Sequence, residues 1–302
     1  MAETYATCVE QPACRLYWSL TAVLCLLAMG ADAGNASERA PPPQQPFYML
    51  TDDQFMEWWV LESQGNQPLP DDYVLPVKNA LQGHLESPRL WEKYIDNIIT
   101  QQLKFTATTH ERCLYRHTDP KTNTPELLFR QVDDFSVSAI SKEACMAIIA
   151  AIGKFLKVPL NNLGIMRKFN GVNVIQTSWY IKISCQDYLL KILMAHDWLD
   201  LKSSRQPIPM RSNSTYQHQL ELAERPSNQT AQHTIQEQAG FSYRTVIGKW
   251  IYALVIARPE ISMATTKLSQ YGSNPAYIHY LYKAVRAIFA FLNNTREDRL
   301  IF

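Results

Sequence analysis

The sequence has almost no net charge, no closely spaced cysteine pair and no clean hydrophobic run of membrane-spanning length. Its 29 Lys and Arg residues nearly balance 28 Asp and Glu residues, which leaves a formal net charge of +1. A near-neutral chain exerts no general attraction on nucleic acid, so such a ligand must be held in a local groove. The six cysteines form no CxxC pair, which favours reduced, buried thiols and a cytoplasmic or nuclear protein.

The most apolar stretch, RLYWSLTAVLCLLAMGADA at residues 15–33, imitates a secretory signal segment. Ser19 and Thr21 interrupt it, and it is short for a membrane span. A buried helix that begins after Pro12 explains the same residues, so we predict a core helix and no membrane contact. The predicted buried stripe of this helix consists of Leu16, Leu20, Leu24 and Leu27.

The chain is long and apolar enough to bury a large core. Its 302 residues are 46% hydrophobic and 11% aromatic, which indicates one large domain or two modest ones. Residues 202–240 are rich in Gln, Ser, Asn and Pro and are predicted to form a flexible polar linker. The predicted organisation is therefore a main domain at 1–201, this linker, and a helical segment at 241–302.

Helix and strand signals alternate along the main domain. Residues 47–75 lack a sustained period and are predicted to form short strands. An amphipathic helix is predicted from Ser87, with that serine as the N-cap and Pro88 in the first turn. ELLFRQV and FSVSA then form a predicted hairpin, which is followed by a second capped helix from Ser141.

The order strand, helix, hairpin, helix, strand is typical of the α+β class. It matches the split βαβ, or ferredoxin-like, arrangement, in which an antiparallel sheet carries two helices on one face. The first strand runs through the MGA segment into Asp32. Because this arrangement places the first strand beside the hairpin, Asp32 is predicted to lie next to the hairpin tip.

The hairpin tip carries two adjacent carboxylates, Asp133 and Asp134, in the stretch FRQVDDFSVSA. A tight turn alone explains such a pair, because Asp tolerates turn geometry. The alternative is a divalent cation, since hard oxygen ligands hold Mg²⁺ together with substrate phosphates. Three converging carboxylates repel one another unless cations are present, so the predicted neighbourhood of Asp32 favours the metal interpretation.

A second cluster, HERCLYRH, contains His110, Cys113 and His117. On a helix these side chains could share one face and bind zinc. The cluster lacks a fourth ligand and the usual ligand spacing, so zinc is the weaker hypothesis.

The ordered motifs resemble the reverse transcriptase of copia-type retrotransposons over nearly the whole chain. GADAGNA resembles the strand that ends in the first catalytic aspartate, and ALQGHLESPRLWEK is similar to A-L-Y-G-L-K-Q-A-P-R-x-W. QVDD is similar to the Y-V-D-D box, and LGIMRKFNGVNV to L-G-x-x-x-x-F-L-G-I. YRTVIGKWIYALVIARPEIS and LSQYGSNPAYIHYLYKAVRAIFAFLNNT resemble the helical motifs that follow.

This resemblance implies RNA-directed DNA synthesis on a polymerase palm, followed by a helical thumb or connection unit. The implied substrates are an RNA or DNA template with its primer and deoxynucleoside triphosphates. The implied cofactor is Mg²⁺, with Mn²⁺ as the alternative. The implied catalytic and metal-binding residues are Asp32, Asp133 and Asp134, with Asp134 directed less into the site than Asp133. The implied nucleotide- or template-binding residues are Gln82, Gly83, Arg89 and Gln131, although Gly83 could equally serve only a turn.

The sequence also departs from the family pattern. Ser37 replaces a Phe beside the catalytic strand, and Gln131 replaces the Tyr of the Y-V-D-D box. The resemblance begins just before the helix that leads to Asp32, so we expect the fingers strands to be largely missing and activity to be impaired. The alternative function is a truncated, non-catalytic remnant that binds nucleic acid or protein.

Overall fold

The computed structural model describes residues 6–62, 70, 73–199, 208–280 and 282–302. Its strands are, in chain order, β1 (Leu27–Asp32), β2 (Tyr48–Leu50), β3 (Val74–Pro76), β4 (Thr106–Ala107), β5 (Leu114–Thr118), β6 (Pro125–Gln131), β7 (Asp134–Ala139), β8 (Asn161–Ile165), β9 (Lys168–Phe169), β10 (Val172–Gln176), β11 (Ile181–Ser184) and β12 (Leu300–Ile301).

The α-helices are, in the same order, α1 (Gln11–Val23), α2 (Ala36–Arg39), α3 (Asp53–Glu62), α4 (Ser87–Asn97), α5 (Lys142–Leu156), α6 (Gln186–Ala195), α7 (Ser214–Leu222), α8 (Gln229–Ala239), α9 (Tyr243–Ile256), α10 (Ser262–Ser269), α11 (Tyr277–Tyr280) and α12 (Ala287–Asn294). Single π-helical turns at Ile98–Gln102 and Tyr282–Arg286 continue α4 and precede α12, and a 3₁₀ turn spans Pro259–Ile261.

The described chain divides into two compact units. The first contains residues 6–10 and 26–165, and the second contains residues 11–25 and 166–302 where these are described. Residues 166–199 therefore group with the C-terminal part of the chain, whereas the sequence places them in the main domain. Mixed helices and antiparallel sheets in both units confirm the α+β class.

The first unit is built on a six-stranded antiparallel sheet with the order β4-β5-β6-β7-β1-β8. α5 packs on β1, on β7 and on the π-turn that continues α4. Because residues on one face of a strand are two positions apart, Met29 and Ala31 of β1 share a face. They enter one buried cluster with Phe135, Val137, Trp91, Ile95, Cys145, Ile148, Ile149 and Ile152.

α5 begins where the sequence predicts. The hydroxyl of Ser141 accepts a hydrogen bond from the backbone N–H of Ala144 at 3.2 Å, which confirms the predicted N-cap. α4 differs in this respect, because its N-cap is Glu86 and makes no side-chain capping bond. The predicted cap, Ser87, instead donates its hydroxyl to the carbonyl of Leu81 at 2.6 Å and holds the preceding loop.

α1 confirms the predicted helix but buries a different face. The side chains of Tyr17 and Trp18 are completely buried, whereas Leu16 is 52% exposed. The full buried set is Cys14, Tyr17, Trp18 and Thr21. Two stripes have helical spacing here, and the one with the larger aromatic side chains removes more apolar surface from water. None of the helices in the described residues is both long and apolar enough to span a membrane.

Two segments are more helical than the sequence predicts. Part of residues 47–75 forms α3, because the carboxylate of Asp52 accepts the backbone N–H of Phe55 at 2.7 Å and starts the helix. The predicted linker contains α7 and α8. Asn213 and Asn228 are their N-caps, with side chains that accept backbone N–H groups at 3.2 and 2.8 Å. Capping by Asp and Asn stabilises helices whose apolar pattern is weak.

The second unit contains an antiparallel sheet with the order β12-β11-β10-β9. β9 and β10 are joined at Asn170 and Gly171, whose φ angles are 47° and 77°. This geometry confirms the predicted Asn-Gly turn, since both positions require positive φ. In the same unit α1 packs on α9 and on β11.

Candidate active site

Asp32 is the last residue of β1 and Asp134 is the first residue of β7. The two are Cα partners in the antiparallel register of these strands. Directly opposite residues of an antiparallel pair project to the same face. The sheet therefore brings together two acidic residues that are about a hundred positions apart in the sequence.

The connection between β6 and β7 is the two-residue turn Val132–Asp133, closed by the pair Gln131 and Asp134. Val132 has a φ of +56°, a conformation that is disfavoured for a β-branched residue. Asp133 is exposed in the turn. The turn thus directs Asp133 into solvent and keeps Asp134 in the strand, so Asp134 rather than Asp133 is opposite Asp32. That Asp134 is directed less into the site than Asp133 stays a prediction.

Four contacts hold this acidic edge in place. The indole N–H of Trp91 donates to the carbonyl of Val132 at 2.8 Å. The backbone N–H of Ala33 donates to the carbonyl of Asp133 at 3.0 Å and ties the end of β1 to the turn. The side-chain carbonyl of Gln131 accepts the backbone N–H of Val9 at 2.9 Å, and the fourth contact reaches Asp32 itself.

The fourth contact comes from the strand on the other side of Asp32. Asn161 of β8 is the Cα partner of Asp32 across β1 and β8. Its amide Nδ2 donates to the Oδ2 of Asp32 at 3.2 Å. Asp32 therefore has a carboxylate on one side and an amide donor on the other, which orients its carboxyl group.

The acidic cluster changes the pKa of Asp134. Partial burial, followed by the negative charges of Asp133 and Asp32, raises the pKa of the Asp134 carboxyl. Burial and like charges both disfavour the ionised form. Asp133 and Asp32 are thus close enough to influence Asp134, and a cation at this edge would relieve their repulsion.

The chemistry of these side chains fits a divalent cation. Mg²⁺ is usually held by one or two carboxylates together with substrate phosphates, and not by a complete protein cage. Within the described ranges, no three His, Cys, Asp or Glu side chains form a ready-made metal cage. Asp32, Asp133 and Asp134 nevertheless offer the hard oxygen ligands that Mg²⁺ prefers at one edge of the sheet.

The structure separates the remaining predicted site residues into two groups. Gln131 closes the Val132–Asp133 turn and is anchored through its side chain. Gln82 and Gly83 lie in an exposed loop before α4, and Arg89 lies half-buried in the first turn of that helix. Gly83 has a φ of +93°, and a Cβ on it would meet nothing within 4 Å. The positive φ required in this turn is therefore sufficient to explain a glycine at position 83.

Sequence reasoning missed the supporting roles of Asn161 and Trp91. The sequence marks Trp91 only as the tryptophan of the motif ALQGHLESPRLWEK, and no signal links Asn161 to Asp32. The link depends on the pairing of β8 with β1, which is irregular between Gly30 and Ala31. Such a shift changes the register without leaving a trace in the residue pattern.

The alternative zinc cluster is wrong. His110 and Cys113 lie outside helices, and His117 lies in β5 with its Nδ1 at 2.8 Å from the carboxylate of Glu126. Burial raises the pKa of the Cys113 thiol to about 12, whereas zinc binds the thiolate. The three residues do not share a helical face, because His110 lies in a bend, Cys113 in a turn and His117 in β5.

Comparisons with known proteins agree on one protein family. The family described as reverse transcriptase (RNA-dependent DNA polymerase) matches residues 57–210, about half of the chain. The match includes Asp133 and Asp134 and begins after Asp32. A transposon Ty5-1 protein of Saccharomyces cerevisiae is 25% identical over 227 residues, which are 75% of this chain and 67% of the yeast protein.

A second relative is the retrovirus-related Pol polyprotein from transposon TNT 1-94 of Nicotiana tabacum. It is 24% identical over 234 residues, which are 76% of this chain but 16% of the polyprotein. The chain therefore spans a small part of this relative. The family match and both transposon relatives agree with the motif order in the sequence, and the chain belongs to the reverse transcriptase family of copia-type retrotransposons.

Proposed function

We propose that the chain carries an RNA-directed DNA polymerase site at the edge formed by Asp32, Asp133 and Asp134. The observation that carries the proposal is the register pairing of Asp32 with Asp134 beside the Val132–Asp133 turn. Burial and the charges of Asp133 and Asp32 raise the pKa of Asp134, so positive charge at this edge would stabilise its ionised form. Divalent ions that bind together with the anionic primer end and nucleoside triphosphate would supply that positive charge.

The first unit is proposed to be the polymerase palm. β1, α4, β6, β7, α5 and β8 follow one another in the order strand, helix, hairpin, helix, strand, and the strands lie in the sheet order β6-β7-β1-β8. This order supports the split βαβ arrangement. The helices of residues 241–302 are proposed as the thumb or connection segment.

The reaction proposed for this site is attack of a primer 3′-hydroxyl on the α-phosphate of an incoming deoxynucleotide, with loss of pyrophosphate. Asp32 and Asp133 would hold Mg²⁺ or Mn²⁺, and Asp134 would assist. When bound, divalent ions would lower the pKa of the hydroxyl and neutralise charge on the departing pyrophosphate. Asn161 orients Asp32, and Ala33 fixes the turn, so the carboxylates are aligned before substrate binds.

The nucleotide and template side is proposed to involve Gln82, Gly83, Arg89 and Gln131. Arg89 supplies a cation at the start of α4, where a helix N-terminus also favours phosphate. Gln131 would contribute to this side through the turn that it closes, where its side-chain carbonyl accepts the backbone N–H of Val9. Gly83 contributes through its turn conformation.

Primer extension on an RNA template with Mg²⁺ or Mn²⁺ tests the proposal. We expect weak extension by the wild-type chain and its loss in Asp133→Asn at an unchanged melting temperature, because the variant keeps the size of the side chain and removes its charge. Extension that is equal in the wild type and in Asp133→Asn overturns the assignment. A chain that binds template without extending it, with affinity that falls as salt rises, supports the non-catalytic alternative.

A further inference from the structure

The turn that presents Asp133 has an unfavourable backbone. Val132 occupies the left-handed region with a φ of +56°, where its branched Cβ crowds the backbone. Strained positions persist only when surrounding contacts over-determine them. The contacts of Val132 therefore identify what sets the direction in which Asp133 leaves the turn.

One of these contacts comes from a distant side chain. The Val132 carbonyl, which belongs to the peptide that links Val132 to Asp133, accepts the indole N–H of Trp91 at 2.8 Å. Trp91 is 1% exposed and belongs to the core cluster of the first unit. A buried indole N–H needs a partner, since leaving it unpaired is costly. Because the oxygen is held, the plane of the Val132–Asp133 peptide is fixed as well.

Two neighbouring contacts complete the restraint. The carbonyl of Asp133 is held by the backbone of Ala33, and the Val132 side chain packs against the same core cluster as Trp91. The Ala33 contact joins the turn to β1. The Trp91 contact joins it to α4, whose first turn carries Arg89. Trp91 is thus the side-chain donor that fixes the strained peptide before Asp133.

We propose that Trp91 is a positioning residue for nucleotidyl transfer, which acts by fixing the Val132–Asp133 peptide and so the carboxylates of Asp133 and Asp134. This inference rests on the proposed polymerase site. Trp91 touches no reacting atom in this account. Its loss should therefore lower the rate of chemistry while substrate binding and overall packing change little.

Trp91→Phe tests this role because it removes the N–H donor and keeps most of the aromatic packing. The matched control is Trp250→Phe in the second unit. Trp250 is also 1% exposed, and its indole nitrogen has no hydrogen-bond partner within the described part of the chain. A third variant, Val132→Gly, relieves the strain, because glycine adopts positive φ without penalty.

We expect Trp91→Phe to lower kcat by about 10- to 100-fold with KM for the nucleotide nearly unchanged, the loss typical of misplaced catalytic groups. Trp250→Phe should leave both unchanged. In the Val132→Gly background, the loss caused by Trp91→Phe should shrink, because coupled residues are non-additive. Equal losses in both backgrounds, or a wild-type rate in Trp91→Phe, overturn the proposal.

Amide hydrogen exchange gives a readout that does not depend on activity. The peptide that spans the Val132–Asp133 turn should exchange faster in Trp91→Phe, while peptides from α5 exchange as in the wild type. Faster exchange throughout the first unit indicates a general packing role and overturns the proposal. If the wild type extends no primer, the proposed function fails, and turn-specific exchange still decides whether Trp91 fixes the turn.

The wild-type chain provides a further check should Trp91→Phe not fold. The indole N–H of Trp91 should resist exchange with solvent far more than that of Trp179, which is 90% exposed. Rapid exchange at Trp91 contradicts the hydrogen bond on which the inference depends.

Discussion

Asp32, at the end of β1, and Asp134, at the start of β7, are register partners. Their proximity is reflected in the raised pKa of Asp134. Burial and the charges of Asp133 and Asp32 raise the pKa of Asp134. Its ionised form is therefore less favourable in the folded state than in the unfolded chain. This concentration of negative charge therefore lowers the stability of the folded protein at neutral pH.

The first prediction concerns Asp134→Asn. We expect it to raise the melting temperature at pH 7 by on the order of 2 °C and to abolish primer extension. Because the folded pKa of Asp134 is raised, its destabilising effect grows as pH rises from the ordinary Asp value near 4 and is constant above the raised value. The gain in Asp134→Asn should therefore disappear below about pH 4. Thermal unfolding as a function of pH measures it.

Asp119→Asn is the matched control for this pH dependence. The pKa of Asp119 is lowered, because its carboxylate accepts the backbone N–H of Lys121 at 2.9 Å and the hydroxyl of Thr122 at 2.8 Å. Its contribution is present above the ordinary Asp pKa and is lost as pH falls. Asp119→Asn should not stabilise the protein at pH 7. A gain of equal size in both variants points to net charge and not to the acidic cluster.

The second prediction concerns the amide that orients Asp32. Asn161→Ala removes the hydrogen bond from Nδ2 to Asp32 and should lower the primer-extension rate by about three- to tenfold, the equivalent of one ordinary, solvent-exposed hydrogen bond. Asn161→Asp should lower it further, because it adds a fourth carboxylate beside Asp32. The control is Asn162→Ala, since Asn162 bonds to the backbone of Gly164. Similar losses at both positions contradict a specific role for Asn161.

Part of this site follows from the sequence. The apolar pattern of FSVSA, the capped helix from Ser141 and the acidic tip lead to a hairpin beside the first strand. Strand order then places Asp32 next to the tip. These steps succeed because alternation and capping are local properties that the sequence encodes directly.

The register and the turn geometry do not follow from the sequence. Asp134 is opposite Asp32 because Val132 adopts positive φ, and its carbonyl is held by Trp91, 41 residues away. No local propensity favours that conformation for valine. The buried face of α1 does not follow from the sequence either, for a related reason. Two stripes share its helical period, and only tertiary packing selects the one with Tyr17 and Trp18.

The third prediction concerns the thiols, which are all free. Cys8 and Cys25 are exposed, and the other four are buried. Burial raises the pKa of Cys14, Cys145 and Cys185 to about 11, so at pH 8 roughly a thousandth of each is thiolate. A thiol reagent should modify two cysteines rapidly in the native protein and all six after denaturation. A double variant, Cys8→Ser with Cys25→Ser, should show no rapid phase.

The fourth prediction separates the two roles considered for Gly83. Gly83→Ala should destabilise the protein by about 1 kcal/mol, because alanine is disfavoured at positive φ. The matched control is Gly240→Ala. Gly240 ends α8 with a φ of +78° and, like Gly83, has open space where a Cβ would lie. If Gly83 serves the turn alone, both variants should lower the melting temperature by similar amounts and leave KM for the nucleotide unchanged. A KM that rises only in Gly83→Ala shows that this loop approaches the substrate.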